Sequence, residues 1–382
     1  MLEQAQHKAR PSRRWKALAA AVAVGALTVG ALAPAAAFAA PRPDTVQQGL
    51  DALARDEGVP GALASVKKGD GRARNYTAGV ADLATGAKVP VDGQVRIGSN
   101  TKVFTAVVVL QLVGEGKVAL DEPIETYLPG LVRGDGIDGR RITVRQLLQH
   151  TSGLPNYLKA DLRPRYYEPR ELLDTALQFK AEFAPGEKFG YSNTNYVLAG
   201  LIAQRVSGRP LAAEIERRVI EPAGLHHTYF PAPGDESIRE PHPKGYYRDA
   251  PGAPLRDVTE IDPSWGWAAG QMISTNSDLN RFFAELLHGD LLKPAQLTEM
   301  KKTVPAEKMG PGAGYGLGLV SKPLPCGGGL YWGHGGSFPG YETRGGVTDD
   351  GSAAADIAVT TQPSDPNTMK HVESLVETAL CR

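Results

Sequence analysis

Ser99 and Lys102 stand three residues apart in "RIGSNTKVFTAVVVLQLVGEG" (96–116), where a long run rich in Val and Leu begins. A serine hydroxyl is a poor nucleophile until a neighbouring base takes its proton. If Ser99 opens a helix, Lys102 lies one turn on along the same face, and the helix N-terminus favours a developing negative charge. An amine accepts a proton near neutral pH only when burial or a nearby cation lowers its pKa from about 10.4. The apolar run supplies that burial. The spacing therefore suits nucleophilic acyl transfer. The same Ser-x-x-Lys spacing recurs at Ser65-Val-Lys-Lys68, but in a strand that runs into the turn Gly69-Asp70-Gly71. Residues three apart on a strand point to opposite faces, so Ser65 is a decoy.

Two further motifs can complete such a site. "GYSNTNY" contains the chain's only Tyr-x-Asn, Tyr191-Ser192-Asn193, on a loop entering a helix, and "YWGHGGSF" its only His-x-Gly, His334-Gly335-Gly336, on a strand. A phenol can relay a proton to a leaving group, and an amide can orient the amine and the substrate. Paired glycines let a substrate backbone approach the strand closely. The backbone N–H of Ser337 could then join that of Ser99 as an oxyanion hole. Other polar signals are read as structural. His150 ends a helix, and His226–His227 forms a surface turn with no His or carboxylate at i+4 to suit a metal. Gly327–Gly329 lacks the Lys-Ser or Lys-Thr of a phosphate loop. No cofactor and no metal are expected.

The elements that must position these residues follow from the wider pattern. Residues 1–39 read as a secretory signal peptide: five basic residues, an Ala- and Gly-rich apolar run, then an A-x-A site at Ala37 and Ala39. Arg13–Arg14 after Ser12 hints at twin-arginine export. The leader carries five of the 42 basic and one of the 42 acidic residues, so the remainder is net −4 with no basic stripe. That balance argues against nucleic acid or an anionic membrane surface as partner. Cys326 and Cys381, an even pair in an exported chain, read as a disulfide, with a stabilisation of about 4 kcal/mol in the loop-entropy account. Strands at "GALASVKKG" and "RARNYTAGVAD" return late as "GYGLGLVSK", "LYWGHGG", "YETRGGVTD" and "AAADIAVTTQ", with helices between. The expected class is α/β (α+β): an antiparallel sheet built from both chain ends, about 40–98 and 303–382, flanked by helices, with an inserted all-helical region over about 99–302. Residues 40–382 form one catalytic domain.

The ordered set of motifs resembles the serine β-lactamase and penicillin-binding protein superfamily, and is most similar to secreted actinomycete D-alanyl-D-alanine carboxypeptidases. The phrases carrying the resemblance are "RIGSNTKVFTAVVVLQLVGEGKVALD", "YLPGLV", "RITVRQLLQHTSGL", "YSNTNYVLAGLI", "YGLGL" and "CGGGLYWGHGGS". It implies that Ser99 is acylated, that Lys102 and Tyr191 share the proton transfers and that Asn193 orients. It also implies that His334 stands where many relatives carry lysine, that Gly336 and Ser337 bind substrate, and that Trp265 in "SWGWAAG" lines the cleft. The implied partners are peptidoglycan stem peptides or other D-amino-acid peptides, with β-lactams as acylating inhibitors of a secreted monomer. D-aminopeptidase or amidase, esterase and β-lactamase activities are alternatives within the same chemistry, and a slowly acylating penicillin receptor is one outside it. Two residues depart from the carboxypeptidase pattern. Val320 follows Gly-Leu-Gly-Leu where an arginine would hold the substrate carboxylate, and Gly335 replaces a threonine. Lys322 would share the Val320 face of a strand and could substitute in part.

Overall fold

The computed structural model describes residues 44–381 apart from 70, 251 and 328; the expected leader lies outside them. Helix α1 (Thr45–Asp56) is capped by Asp44, whose carboxylate accepts from Val46 N at 3.1 Å. Strands β1 (Gly61–Lys68), β2 (Ala73–Asp82) and β3 (Ala87–Lys88) follow. The inserted region contains helices α2 (Thr101–Gly114), α3 (Thr194–Ser207) and α4 (Asn276–His288) among shorter turns. The chain then returns through β4 (Val304–Pro305), β5 (Gly314–Tyr315), β6 (Val320–Pro323), β7 (Leu330–Gly333), β8 (Gly336–Phe338), β9 (Tyr341–Thr348) and β10 (Ala353–Val359) to helix α5 (Pro366–Leu380).

These strands pair antiparallel in the order β4-β5-β6-β7-β9-β10-β1-β2-β3, with β8 also on β9. Both chain ends thus meet at the β10–β1 seam, as expected. Alternation along β1 sends Ala62, Ala64 and Val66 toward α1 and α5, and Leu63 toward the helical region. β10 is buried along its whole length and accordingly reads as an almost unbroken apolar run. At Gly49 in α1 a Cβ would fall 2.1 Å from Leu375 of α5, so glycine lets the two helices close on each other. Cys326 and Cys381 are bonded, with Cα atoms 5.8 Å apart, tying the end of α5 to the β6–β7 loop.

The structure refines three expectations. "GYGLGLVSK" forms two strands, β5 and β6, because Gly318 adopts φ +89° and Gly316 N donates to Leu319 O at 2.7 Å, closing a hairpin. "LYWGHGG" breaks at His334 into β7 and β8. The inserted region is mainly helical and also holds small strand pairs, 133–134 with 137–138 and 246–247 with 256–257.

Candidate active site

Helix α2 is apolar on nearly every side, as a helix running through a core must be. Three polar residues near its start, Thr101, Lys102 and Thr105, are buried and bind the segment around the short helix Trp267–Gly270. Thr101 Oγ1 accepts from Met272 N at 3.1 Å, Lys102 Nζ donates to Ala269 O at 2.7 Å and Thr105 Oγ1 donates to Ala268 O at 2.8 Å. The 3₁₀ turn Gly98–Asn100 precedes the helix and carries Ser99. Lys102 Nζ lies 2.9 Å from Ser99 Oγ, so the one-turn relation read from the sequence is present.

Lys102 is completely buried, and no carboxylate pairs with it among the described residues. Desolvation alone drives its pKa well below the usual lysine value, because an ammonium there has no compensating charge. The amine is therefore suited to accept a proton. Its Nζ sits 5.0 Å from the centre of the Tyr191 ring. Burial raises the Tyr191 phenol pKa, with the Ser99 side chain pulling it the other way, so Tyr191 is protonated and in touch with the nucleophile.

His150 anchors the Tyr191 loop. Its ring lies 4.3 Å from that of Tyr191, and its Nδ1 accepts from Ser192 N at 3.3 Å. Asn195 Nδ2 lies 2.9 Å from the same nitrogen. This is the structural role expected of His150, although no reading of the sequence placed it directly under Tyr191. His334 is buried as well. Its Nδ1 lies 2.5 Å from Gly335 O and its Nε2 3.2 Å from Tyr315 Oη. Burial, followed by the charge of Lys102, takes its pKa down to about 3. His334 is neutral at working pH, so the position that is lysine in many relatives carries no charge here.

Two glycines bring the nucleophile's turn against β8. Gly98 adopts φ +47°, and a Cβ there would be 2.8 Å from Ser337 N; at Gly336 a Cβ would be 1.9 Å from Ile97 O. Asn100 locks the contact, donating from Nδ2 to Ile97 O at 3.1 Å and to Thr343 Oγ1 of β9 at 2.8 Å. Ser337 Oγ donates to Glu342 Oε1 at 2.6 Å. Trp265 stacks on Phe338 with ring centres 4.9 Å apart. Asn193 starts α3 and faces the cleft, where its amide makes no hydrogen bond among the described residues. The Lys102 bonds go to Ser99 and Ala269, which leaves Asn193 available to a ligand.

Ser99, Tyr191, Asn193, Trp265, His334 and Ser337 all line one cleft of about 1080 Å³. Ser65 lies apart, buried in β1 opposite Asp356, its hydroxyl without a partner among the described residues. His227 pairs with Glu240 at 2.6 Å, in keeping with a surface turn.

The β-lactamase family profile matches residues 43–378. The chain belongs to the β-lactamase family. A D-stereospecific amidohydrolase from Streptomyces sp. is 38% identical, with a TM-score of 0.81 over 89% of this chain and 99% of that one. The D-amino acid amidase of Ochrobactrum anthropi SV3 is 29% identical, with a TM-score of 0.77 over 88% and 96%. Penicillin-binding protein 4 of Amycolatopsis lactamdurans is 31% identical over 182 residues, 48% of each chain. The chain spans about half the length of the curated relatives it matches. Family membership makes this a protein of the serine acyl-transferase and hydrolase superfamily with a β-lactamase/transpeptidase-like fold. Sequence reasoning missed Arg344 and Glu373, which also line the cleft, and Glu342 behind them. No motif marks these three, because only strand register and the docking of α5 bring them to the site.

Proposed function

We propose that the protein is a secreted serine hydrolase that cleaves the amide bond following a D-residue through an acyl-enzyme on Ser99. The observation that carries this reading is the buried Lys102 amine, 2.9 Å from Ser99 Oγ and without an acidic partner among the described residues. Neutral Lys102 takes the Ser99 proton as Oγ attacks the carbonyl carbon. The oxyanion is held by the backbone N–H groups of Ser99 and Ser337, which the Gly98–β8 contact supports. The proton passes through Lys102 and Tyr191 to the leaving amine, and water then hydrolyses the ester. Asn193 holds the acyl portion of the substrate, Gly336 admits its backbone to the strand edge, and Trp265 forms a wall.

The preferred substrate is a peptidoglycan stem peptide ending in D-Ala-D-Ala, with β-lactams acylating the same serine. The second reading is a D-amino acid amidase or D-aminopeptidase, supported by the likeness to the Streptomyces amidohydrolase and the Ochrobactrum amidase. Secretion is supported by the Cys326–Cys381 bond, and no described helix is long and apolar enough to cross a membrane. The test is reaction with labelled penicillin, mapping of the adduct, then matched D- and L-series of peptides, amides and esters. An adduct on Ser99 and turnover confined to the D-series are expected. An adduct elsewhere, or faster cleavage of L-peptides, would overturn the reading.

A further inference from the structure

Tyr315, on β5 in the first arm of the Gly318 hairpin, has no part in the chemistry proposed above, yet it is completely buried where the elements of the site meet. Its ring lies 5.0 Å from that of His150, 6.3 Å from that of Tyr191 and 5.8 Å from that of His334. Pairing with Val304 of β4 on one side and Val320 of β6 on the other fixes its backbone. The groups that face His334 besides Tyr315 are Lys102 of α2, His150, Tyr191 of the loop before α3, and Arg344 of β9.

The hydrogen bonds determine where the protons sit. Gly335 O can only accept, so His334 Nδ1, 2.5 Å away, carries a hydrogen. In a neutral imidazole Nε2 is then bare and can only accept. Tyr315 Oη lies 3.2 Å from it. Tyr315 Oη also faces the hydroxyl of Tyr196, which itself donates to Leu148 O at 2.9 Å. Tyr315 thus has one proton and two acceptors. Were that proton sent to Tyr196, Nε2 would have to donate to Tyr315. With Nδ1 already protonated the ring would become an imidazolium, and burial together with the charge of Lys102 opposes that state. The Tyr315 proton therefore goes to His334. Without it, Nε2 would be a second proton acceptor in the same buried cluster as Lys102.

We infer that Tyr315 is a positioning residue: its hydroxyl holds His334 in the Nδ1–H tautomer and occupies Nε2, which leaves Lys102 as the base for Ser99. This rests on the acyl-enzyme reading above and deepens it. Nitrogen NMR of histidine-labelled protein reads the tautomer, with the His334 signals identified by their loss in His334→Gln. The wild-type ring should be neutral, with hydrogen on Nδ1 and a hydrogen-bonded, bare Nε2. In Tyr315→Phe the Nε2 signal should move to the position of a bare nitrogen without a donor. Penicillin acylation of Ser99 should be about 2- to 10-fold slower in Tyr315→Phe, the range of one neutral hydrogen bond. That loss should vanish when His334→Gln is also present, because the phenol acts through the imidazole. A tyrosine that only filled the core would leave the Nε2 signal in place and would cost the same with or without His334. Either of those results in folded protein overturns the inference. So does hydrogen on Nε2 in the wild type, a result that needs no Tyr315 variant to fold. If penicillin leaves no adduct on Ser99, the acyl-enzyme reading falls, while the wild-type spectrum still decides the tautomer.

Discussion

The two ends of the cleft solve opposite electrostatic problems. Around Lys102 the protein has removed charge: His150, His334, Tyr191 and Tyr315 are packed together, the histidines are held neutral and the lysine has no counterion among the described residues. Around Arg344 charge has been accumulated and interlocked, from Lys322 through Glu373 and Arg344 to Glu342 and the Ser337 hydroxyl. Proton transfer needs an amine that loses its proton readily, which burial provides. At the other end the carboxylates of Glu373 and Glu342 hold the Lys322 and Arg344 side chains in place.

The largest effects should break the uncharged end. Ser99→Ala should abolish the penicillin adduct, checked by mass spectrometry of the intact protein. Lys102→Arg keeps a cation that cannot deprotonate at usable pH, and should slow acylation by at least the ~10²-fold typical of losing general base help. Near-normal acylation by a folded Arg variant would remove Lys102 from the chemistry.

The next prediction concerns pH. The folded-state pKa of Lys102 is lowered, so the reactive neutral amine is present above that value and is lost as pH falls through it. Acylation rate should therefore show one acid limb, which Lys102→Arg abolishes. His334, at about 3, stays neutral throughout and should add no second limb. The same sign governs stability. Between its lowered folded value and about 10.4 the unfolded chain binds the lysine proton and the folded one does not, so this lysine's contribution weakens as pH falls across that window.

Smaller effects should sharpen the charged end. Gly335→Thr puts a side chain where Arg344 lies, and should lower stability by about 1 kcal/mol for each ion pair it breaks, the upper range for a partly exposed pair, read as a lower denaturant midpoint. An unchanged midpoint would mean the guanidinium reaches both carboxylates from another position. Thiol titration of the denatured, unreduced protein should find no free cysteine.

The same contrast explains what could be read in advance. Ser99 and Lys102 are joined by one helical turn, Tyr191 and Asn193 by one loop, and His334 to Ser337 by one strand, so local spacing reveals them. The sheet built from both chain ends was legible because strand patterns occur early and late in the chain with helical patterns between them. Arg344 was not legible. It reaches the cleft from β9, and its partner Glu373 comes from α5; neither has a spacing relation to the nucleophile. Reading Val320 as a missing arginine drew attention to β6 alone, whereas Arg344 lines the cleft from another strand, where only pairing register places it. The break at His334 was missed for a similar reason. A Cβ at Gly333 would lie 2.2 Å from Gly345 O, and that close crossing between strands has no signature in the run of residues itself.

The Cys326–Cys381 bond closes a covalent ring around part of this cleft. Within the ring lie His334, Gly335, Ser337, Glu342, Arg344 and Glu373; outside it lie Ser99, Lys102, Tyr191 and Asn193. The strand that carries Ser337 is thus inside a sulfur-bridged ring, whereas Ser99 and Lys102 are held by core packing. Reduction of the bridge would therefore release the strands of Ser337 and Arg344 from helix α5 while core packing still holds the turn of Ser99 and Lys102.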